Sequence, residues 1–178
     1  MPDDETGAQM FEATREILDD AGLPAYEISN HAAPGEESRH NLAYWRHRDY
    51  LGIGPGAHGR IRTGNAVHET RQHRAPEIWL ARVRESGHAT QRDDPLSRDA
   101  LVEEVVMMGL RLTGGITREA FAARTGVPVE QAFDAATVAR LVEAGYLAQD
   151  DRRLRATPDG QQRLNAVVAA LLSSPAGS

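Results

Sequence analysis

The chain has 178 residues, 40% of them hydrophobic, and a formal net charge of −6. This composition is typical of one or two small folded domains, and the acidic balance argues against an extended phosphate-binding surface. The absence of cysteine excludes disulfides, thiolate zinc sites and any iron–sulfur cluster ligated by cysteines of this chain.

The first elements predict an α/β pattern. Residues 5–21 carry apolar side chains at helical spacing and are followed by Gly22, which indicates an amphipathic helix that ends there. Apolar and polar residues alternate over 25–29, which predicts a strand, and a second short strand is predicted at 50–53. Residues 30–38, with their proline and glycine, predict a loop. Two short strands are too few for a parallel sheet buried on both faces, so we expect further strands upstream.

A hairpin and two helices are predicted next. Residues 59–62 and 66–70 flank a turn at 63–65 whose Gly and Asn tolerate positive φ. A helix is predicted over 76–86, because a proline opens it and a glycine follows it. A longer helix over 97–112, capped by its first residue, is apolar on most sides and is expected to be central.

The remaining elements form a compact series. Helices are predicted over 117–126 and 128–145, each with a cap or proline at its start and a glycine at its end. Two short strands flanking a turn predict a β-wing over 146–155, and a final helix is predicted over 157–172. Three helices, a wing and a closing helix are typical of a winged-helix-like domain.

These elements predict two domains and a tail. The first domain covers residues 1–96, the winged-helix-like domain covers 97–172, and residues 173–178 are expected to be disordered. Winged helices often bind DNA, but the helix in the recognition position carries three acidic residues against one arginine, so we expect no nucleic-acid partner.

Neither end of the sequence predicts a membrane segment. No stretch approaches the roughly 18 apolar residues that a span requires, and the acidic start does not resemble a signal peptide. We therefore expect a cytoplasmic protein without a membrane span.

The densest group of chemically useful side chains lies between residues 38 and 45. It combines an imidazole, an amide, a phenol and an indole in His40, Asn41, Tyr44 and Trp45. One interpretation is structural: the first two residues fix a loop by hydrogen bonds and the two aromatic rings pack beneath it. The other is a site for haem, with His40 as the iron ligand, aromatic rings against the porphyrin and Arg39 on a propionate.

A glycine-rich loop is the second candidate site. Gly52, Gly54 and Gly56, with Pro55 and Ala57, would allow a ligand to approach the backbone closely. The loop lacks the lysine of a phosphate-binding P-loop and misses the G-x-G-x-x-G spacing of dinucleotide sites. Many such runs are simply tight connections between a strand and a turn.

Together these features resemble the C-terminal half of the HemW family, radical-SAM haem chaperones related to the oxygen-independent coproporphyrinogen III dehydrogenase HemN. The segment after Ser97 is similar to the C-terminal domain of the same family. The most specific matches are residues 26–32, 34–35, 38–41, 44–45 and 49–58.

The resemblance implies a fold and a function. The fold is α/β followed by α: residues 1–96 would be the C-terminal remnant of a radical-SAM partial (β/α) barrel, and 97–172 a winged-helix-like HemN C-terminal domain. The function would be to bind haem and deliver it to haem-requiring acceptor proteins. The H-N-x-x-Y-W motif, here His40 to Trp45, is associated with haem handling in this family and marks His40 as the candidate ligand of the haem iron. The alternative is a HemN-like radical-SAM enzyme of porphyrin biosynthesis.

The resemblance also concerns two further cofactors. Members of the family carry a C-x-x-x-C-x-x-C motif whose thiolates hold a [4Fe–4S] cluster that chelates S-adenosylmethionine, whereas this chain has no cysteine. We therefore expect a fragment that is not catalytic by itself. The loop from Gly52 to Ala57 is expected to lie near the S-adenosylmethionine site of the complete barrel.

Overall fold

A computed structural model describes residues 3–173 of the chain. It contains both helices and sheets, as predicted, and divides into two compact units. The first unit is formed by the chain up to Arg46 and from Val105 onward, and the second by His47–Glu104. The predicted domain boundary near residue 96 stays a prediction.

Nine helices and six strands make up the described residues, and no described helix is long and apolar enough to cross a membrane. In chain order they are α1 (Asp4–Asp20), α2 (Arg39–Trp45), β1 (His58–Thr63), β2 (Ala66–Gln72), α3 (Pro76–Ser86), β3 (Thr90–Pro95), α4 (Arg98–Gly109), β4 (Ile116–Thr117), α5 (Arg118–Thr125), α6 (Val129–Ala132), α7 (Ala135–Glu143), β5 (Leu147–Gln149), β6 (Arg153–Ala156), α8 (Pro158–Gln162) and α9 (Leu164–Leu172).

The first unit begins with the predicted amphipathic helix. In α1, the Asp3 side chain accepts a hydrogen bond from the Thr6 N–H at 2.8 Å and so caps the helix. The strand predicted over 25–29 is wrong, because only isolated bridges form there. The chain folds back on itself instead, and the Tyr26 N–H donates to the Asn30 carbonyl at 3.1 Å.

The segment after the predicted loop over 30–38 is helical, so the structural interpretation that His40 and Asn41 fix a loop is wrong. This segment forms the short helix α2, which the Ser38 hydroxyl caps by accepting a hydrogen bond from the Asn41 N–H at 3.3 Å. A helix separates its side chains into faces whereas a loop does not, so the helical conformation decides which side chains of the motif are exposed.

The C-terminal part of the first unit contains an antiparallel sheet with the order β4-β6-β5. The two short strands predicted over 146–155 are present as β5 and β6, which pair antiparallel. The helix predicted over 117–126 is confirmed as α5, with Thr117 as its cap and the left-handed Gly126 at its end. Helix α4 ends at Gly109, earlier than predicted. A Cβ at that glycine would lie 2.4 Å from the Ile116 side chain, so the glycine permits this close packing.

Two helices predicted as continuous are broken. The helix predicted over 128–145 consists of α6 and α7, separated by Phe133 in an extended conformation (φ −127°, ψ 147°). The final helix is interrupted at Arg163, which joins α8 to α9. Ser173 is the last described residue, so the remainder of the tail predicted to be disordered lies outside the described residues.

The second unit contains an antiparallel sheet with the order β1-β2-β3 and the helix α3. The predicted hairpin is confirmed, with Thr63 opposite Ala66, and α3 ends at the left-handed Gly87 as expected. The strand predicted over 50–53 is wrong, since only Tyr50 bridges to Arg60. Strand β3 was not predicted because its residues are largely polar and exposed.

Candidate functional site

The H-N-x-x-Y-W motif occupies α2, and the helix divides it into two pairs of side chains four residues apart. His40 and Tyr44 form the first pair. The His40 side chain is exposed, and its ring meets the edge of the half-buried Tyr44 ring with 4.7 Å between the centroids and 68° between the planes. Arg39, in the first turn, is also exposed. This side of α2 therefore presents an accessible imidazole braced by an aromatic ring.

Asn41 and Trp45 form the second pair and contact the rest of the first unit. The Asn41 Nδ2 donates to the Tyr26 hydroxyl at 3.3 Å. The Arg111 guanidinium lies over the Trp45 ring, 4.5 Å from its centroid, which is the geometry of a cation–π contact. The Trp45 Nε1 is buried and has no hydrogen-bond partner among the described residues. These two side chains therefore anchor α2 to the first unit.

The arginine that lies over Trp45 is itself held by a buried carboxylate, Glu27, which the sequence analysis did not identify as a site residue. Glu27 is fully buried, and its Oε1 accepts hydrogen bonds from the Ser29 N–H at 2.7 Å, the Ser29 hydroxyl at 2.8 Å and the Asn30 Nδ2 at 2.6 Å. Its Oε2 accepts from the Arg111 Nε and Nη2 at 3.2 and 3.1 Å.

Burial alone would raise the pKa of the Glu27 carboxyl, but the hydrogen bonds from Ser29 and Asn30 and the charge of Arg111 outweigh it, so the pKa is lowered. The group is thus a buried carboxylate anion that fixes the guanidinium over Trp45. Because 84 residues separate Glu27 from Arg111 in the chain, no local pattern could have indicated the pair.

The glycine-rich loop belongs to the second unit, whereas the motif belongs to the first. A Cβ at Gly52 would lie 2.3 Å from the His58 carbonyl oxygen, so that glycine permits the loop to close on itself. The Gly56 N–H donates to the His73 carbonyl at 2.8 Å, and the Ala57 N–H donates to Gly54 at 3.2 Å. These two donors are therefore already used within the second unit.

The second unit contains another cluster that the sequence did not reveal. It is built around His47, which is only 4% exposed. Its Nε2 lies 2.8 Å from the Glu104 Oε2, and Arg60 donates to both oxygens of the same carboxylate, at 2.9 and 2.7 Å. Burial would raise the pKa of the Glu104 carboxyl, but the hydrogen bonds and charges of Arg60 and His47 prevail and lower it to about 2.

No group of three or more His, Asp or Glu side chains within residues 3–173 is arranged to hold a metal ion. The cluster around Glu104 pairs one carboxylate with an arginine and a histidine, which is the composition of a stabilising ion pair. A ligand that brings its own iron requires only one imidazole, and α2 supplies an exposed one.

The sequence of this chain is similar to those of several known proteins. The family model of the HemN C-terminal domain matches residues 96–163. "Radical S-adenosyl methionine domain-containing protein 1, mitochondrial" from Bos taurus is 40% identical over 178 residues, which cover 97% of this chain and 40% of that protein. "Heme chaperone HemW" from Bacillus subtilis is 30% identical over 172 residues, covering 97% of this chain and 44% of that protein. This chain corresponds to the C-terminal portion of HemW proteins.

A solved structure supports the same relationship at the level of the fold. The radical SAM enzyme HemN, the coproporphyrinogen III oxidase of Escherichia coli, superimposes with a TM-score of 0.60 at 18% identity, covering 90% of this chain and 39% of that one. The chain therefore shares the fold of part of HemN. It spans 40% of the length of the bovine relative and 44% of the length of the Bacillus subtilis relative.

Proposed function

We propose that this chain supplies the haem-binding part of a HemW-type haem chaperone and that His40 is the axial ligand of the haem iron. The observation that carries this proposal is the division of α2 into two pairs of side chains. Asn41 and Trp45 secure the helix, while His40 is exposed beside the Tyr44 ring. A neutral imidazole is a common iron ligand, and an adjacent aromatic ring can both orient it and contact a flat porphyrin.

The other residues of the motif would have unequal roles. Tyr44 would contact the porphyrin directly, because its ring already meets that of the proposed ligand. Arg39 is exposed in the first turn of α2 and would pair with a propionate. Asn41 and Trp45 would act chiefly by positioning the helix, with Trp45 adding apolar surface. Haem bound here would supply the iron, and the chain would hold it by one ligand until transfer to a haem-requiring acceptor protein.

We also propose the finer assignment of the fold. Residues 1–96 would complete a radical-SAM partial barrel together with strands outside this sequence, and 97–172 would form a winged-helix-like domain with β5 and β6 as its wing. In the complete barrel, the loop from Gly52 to Ala57 would lie near S-adenosylmethionine. Since Gly56 and Ala57 already use their N–H groups, the loop would contribute its shape rather than these donors. A [4Fe–4S] cluster would need cysteines from outside this sequence.

The proposed compartment is the cytoplasm, as expected from the sequence. The name of the bovine relative places that protein in mitochondria, which is the alternative. Fractionation of cells followed by immunodetection of this chain distinguishes the two locations.

A haem titration followed by absorbance tests the function. We expect a shift of the Soret band that saturates near one equivalent for the full chain and is lost in His40→Ala, because the variant has no imidazole at this position. His88→Ala, which removes another exposed histidine, is the matched control and should retain the shift. An unchanged shift in His40→Ala would reject His40 as the ligand, and no shift in the unmodified chain would reject haem binding by this part of the protein.

A further inference from the structure

An open cleft of about 410 Å³ lies in the first unit, where Arg111 faces the junction of α8 and α9. Residues 161–166 form one wall, and Ile28 and Arg111 contribute to the other. Two of the lining residues, Arg111 and Arg163, carry charge, and both are cationic. The cleft therefore favours an anion over a cation.

Gln161 supplies a donor that nothing in the described structure uses. It is only 4% exposed, and its Oε1 accepts a hydrogen bond from the Arg15 Nη2 at 2.6 Å. Because a guanidinium can only donate, this bond fixes which end of the amide carries the oxygen. The Nε2 is thereby placed away from Arg15, buried and without a partner among the described residues. A buried donor left unpaired is unfavourable, and an acceptor on a ligand would relieve it.

The start of α9 adds a second group of donors. The helix has nine residues and no side chain caps its first turn. The Ala166 N–H already donates to the Arg163 carbonyl at 3.0 Å, so the donors that the turn offers at the cleft are the N–H groups of Leu164 and Asn165. Unpaired N–H groups and the positive end of the helix dipole both favour negative charge at such a position.

Glu27 and Trp45 fix the position of the Arg111 guanidinium, but they do not use all of its donors. Its Nε and Nη2 donate to Glu27, and its guanidinium rests on Trp45, which leaves Nη1 for a ligand. Glu27 offsets most of this charge, and Glu12 accepts a hydrogen bond from Gln162 at 2.9 Å. The net attraction for an anion therefore depends largely on Arg163 and the start of α9. A single negative charge matches that balance better than a doubly charged phosphate.

We propose that this cleft binds the carboxylate of an organic acid, with Gln161, Arg163 and the first turn of α9 as the groups that recognise it. The apolar lining residues Ile28, Leu164 and Ala166 would contact hydrocarbon next to the acid group. The carboxylate has two possible sources, a propionate side chain of haem and a free organic acid. The cleft does not depend on His40, so this proposal holds or falls independently of the proposed function.

Binding to the full chain and three variants tests the proposal. Gln161→Glu keeps the oxygen that accepts from Arg15 but replaces the unpaired donor with a negatively charged acceptor. Arg163→Gln removes an exposed cation whose guanidinium also lies 5.6 Å from the centroid of the Tyr146 ring, so the fold of this variant is checked by circular dichroism as well. Arg152→Gln is the matched control, since this exposed arginine lies in the turn of the wing. One probe is sodium succinate, which presents one singly charged carboxylate to the cleft while its second carboxylate stays in solvent, and its binding is followed by calorimetry. The other probes are haem and haem dimethyl ester, followed by absorbance.

We expect Gln161→Glu and Arg163→Gln each to weaken binding of succinate or of haem by about tenfold, as loss of a charge-assisted hydrogen bond typically does, with Arg152→Gln unchanged. If the source is haem, the ester should bind the unmodified chain more weakly than haem and should not respond to the variants. If the source is a free acid, only succinate binding should respond. If circular dichroism shows that Gln161→Glu does not fold, the effect of Arg163→Gln on binding serves as the test.

Two results would overturn the proposal: neither succinate nor haem binding responds to the variants, or neither probe binds at all. Saturable succinate binding that both cleft variants weaken, without haem binding, would reject the proposed function and retain the cleft. Haem binding that is lost in His40→Ala but is unaffected by both cleft variants, with no succinate binding, would support the proposed function and reject the cleft as a carboxylate site.

Discussion

One buried and one partly buried carboxylate illustrate how single residues organise this chain. Glu27 and Glu104 each accept hydrogen bonds from an arginine and from at least one further group, and for both the pKa is lowered despite burial. Neither lies within the H-N-x-x-Y-W motif, but Glu27 fixes the arginine on which Trp45 rests. The exposed imidazole of the motif therefore depends on a carboxylate that is far away in the sequence.

The lowered pKa of Glu104 predicts a dependence of stability on pH. Its value of about 2 in the folded chain lies below the ordinary 4.5, so the folded state favours the anion. This stabilisation is fully present above about pH 4.5 and is lost as the pH falls toward 2. We expect Glu104→Gln to lower the free energy of unfolding by about 1–2 kcal/mol at pH 7, allowing for partial exposure. Urea unfolding measured from pH 7 to pH 3 should show this difference shrinking below about pH 4.5.

The neighbouring Glu103 provides the control for that measurement. Its side chain is exposed, so Glu103→Gln should change the free energy of unfolding by less than about 0.5 kcal/mol. A difference between the unmodified chain and Glu104→Gln that stays constant down to pH 3 would show that the carboxylate is not held as an anion by Arg60 and His47.

Among the elements, the break between α6 and α7 is explained by the packing of Phe133. Leaving the helical conformation directs the Phe133 side chain into the core, where it is 2% exposed and lies 5.9 Å from the Phe121 ring. The side chain of Asp134 then caps α7 by accepting from the Thr137 N–H at 2.8 Å. The chain therefore gives up continuous helical hydrogen bonding at this point and gains a buried aromatic contact.

Because the Phe133 ring is buried in this core, we expect Phe133→Ala to be strongly destabilising. Loss of a buried phenyl group with the resulting cavity typically costs about 3–5 kcal/mol, so we expect a decrease of about 3–4 kcal/mol in the free energy of unfolding measured with urea. Met10→Ala is the control, because Met10 is 59% exposed and its truncation should cost less than about 0.5 kcal/mol. Similar losses in the two variants would mean that Phe133 is not part of a tightly packed core.

The sequence predicted those elements whose ends are set by local chemistry. Helices α1, α3 and α5 have an amphipathic pattern or a cap, proline or glycine at their ends, and these signals act within a few residues. The errors arise where tertiary contacts decide. The alternating pattern at 25–29 does not form a strand, because Glu27 turns inward to an arginine distant in sequence. Strand β3 carries no apolar alternation, because its side chains face solvent.

The same limit applies to the candidate site. The sequence identified the motif residues, because an imidazole and two aromatic rings so close together are unusual. It did not identify their division into two pairs, since that depends on the helical conformation of α2 and on contacts with Tyr26 and Arg111. Nor did it indicate the unpaired Nε2 of Gln161, because the orientation of that amide depends on a hydrogen bond from Arg15, 146 residues away.

For the whole molecule, the distribution of buried apolar side chains is uneven. Within the described residues, only Val67, Ala89 and Leu101 of the second unit are buried apolar residues, whereas the others lie between Val105 and Leu171. Helix α1 contributes none. Since burial of apolar surface is the main favourable contribution to folding, the stability of the chain is expected to be concentrated in its C-terminal part.

Hydrogen exchange of backbone amides tests this expectation along the chain. We expect peptides from residues 105–171 to exchange most slowly and peptides from 58–95 and from α1 to exchange faster, because regions with few buried apolar contacts open locally at lower free energy. The same peptides in concentrated denaturant provide the control for intrinsic exchange rates. Equal protection of 58–95 and 105–171 would show that the sheet β1-β2-β3 is stabilised as strongly as the C-terminal core. It would also imply that the second unit is not the weaker part of the chain.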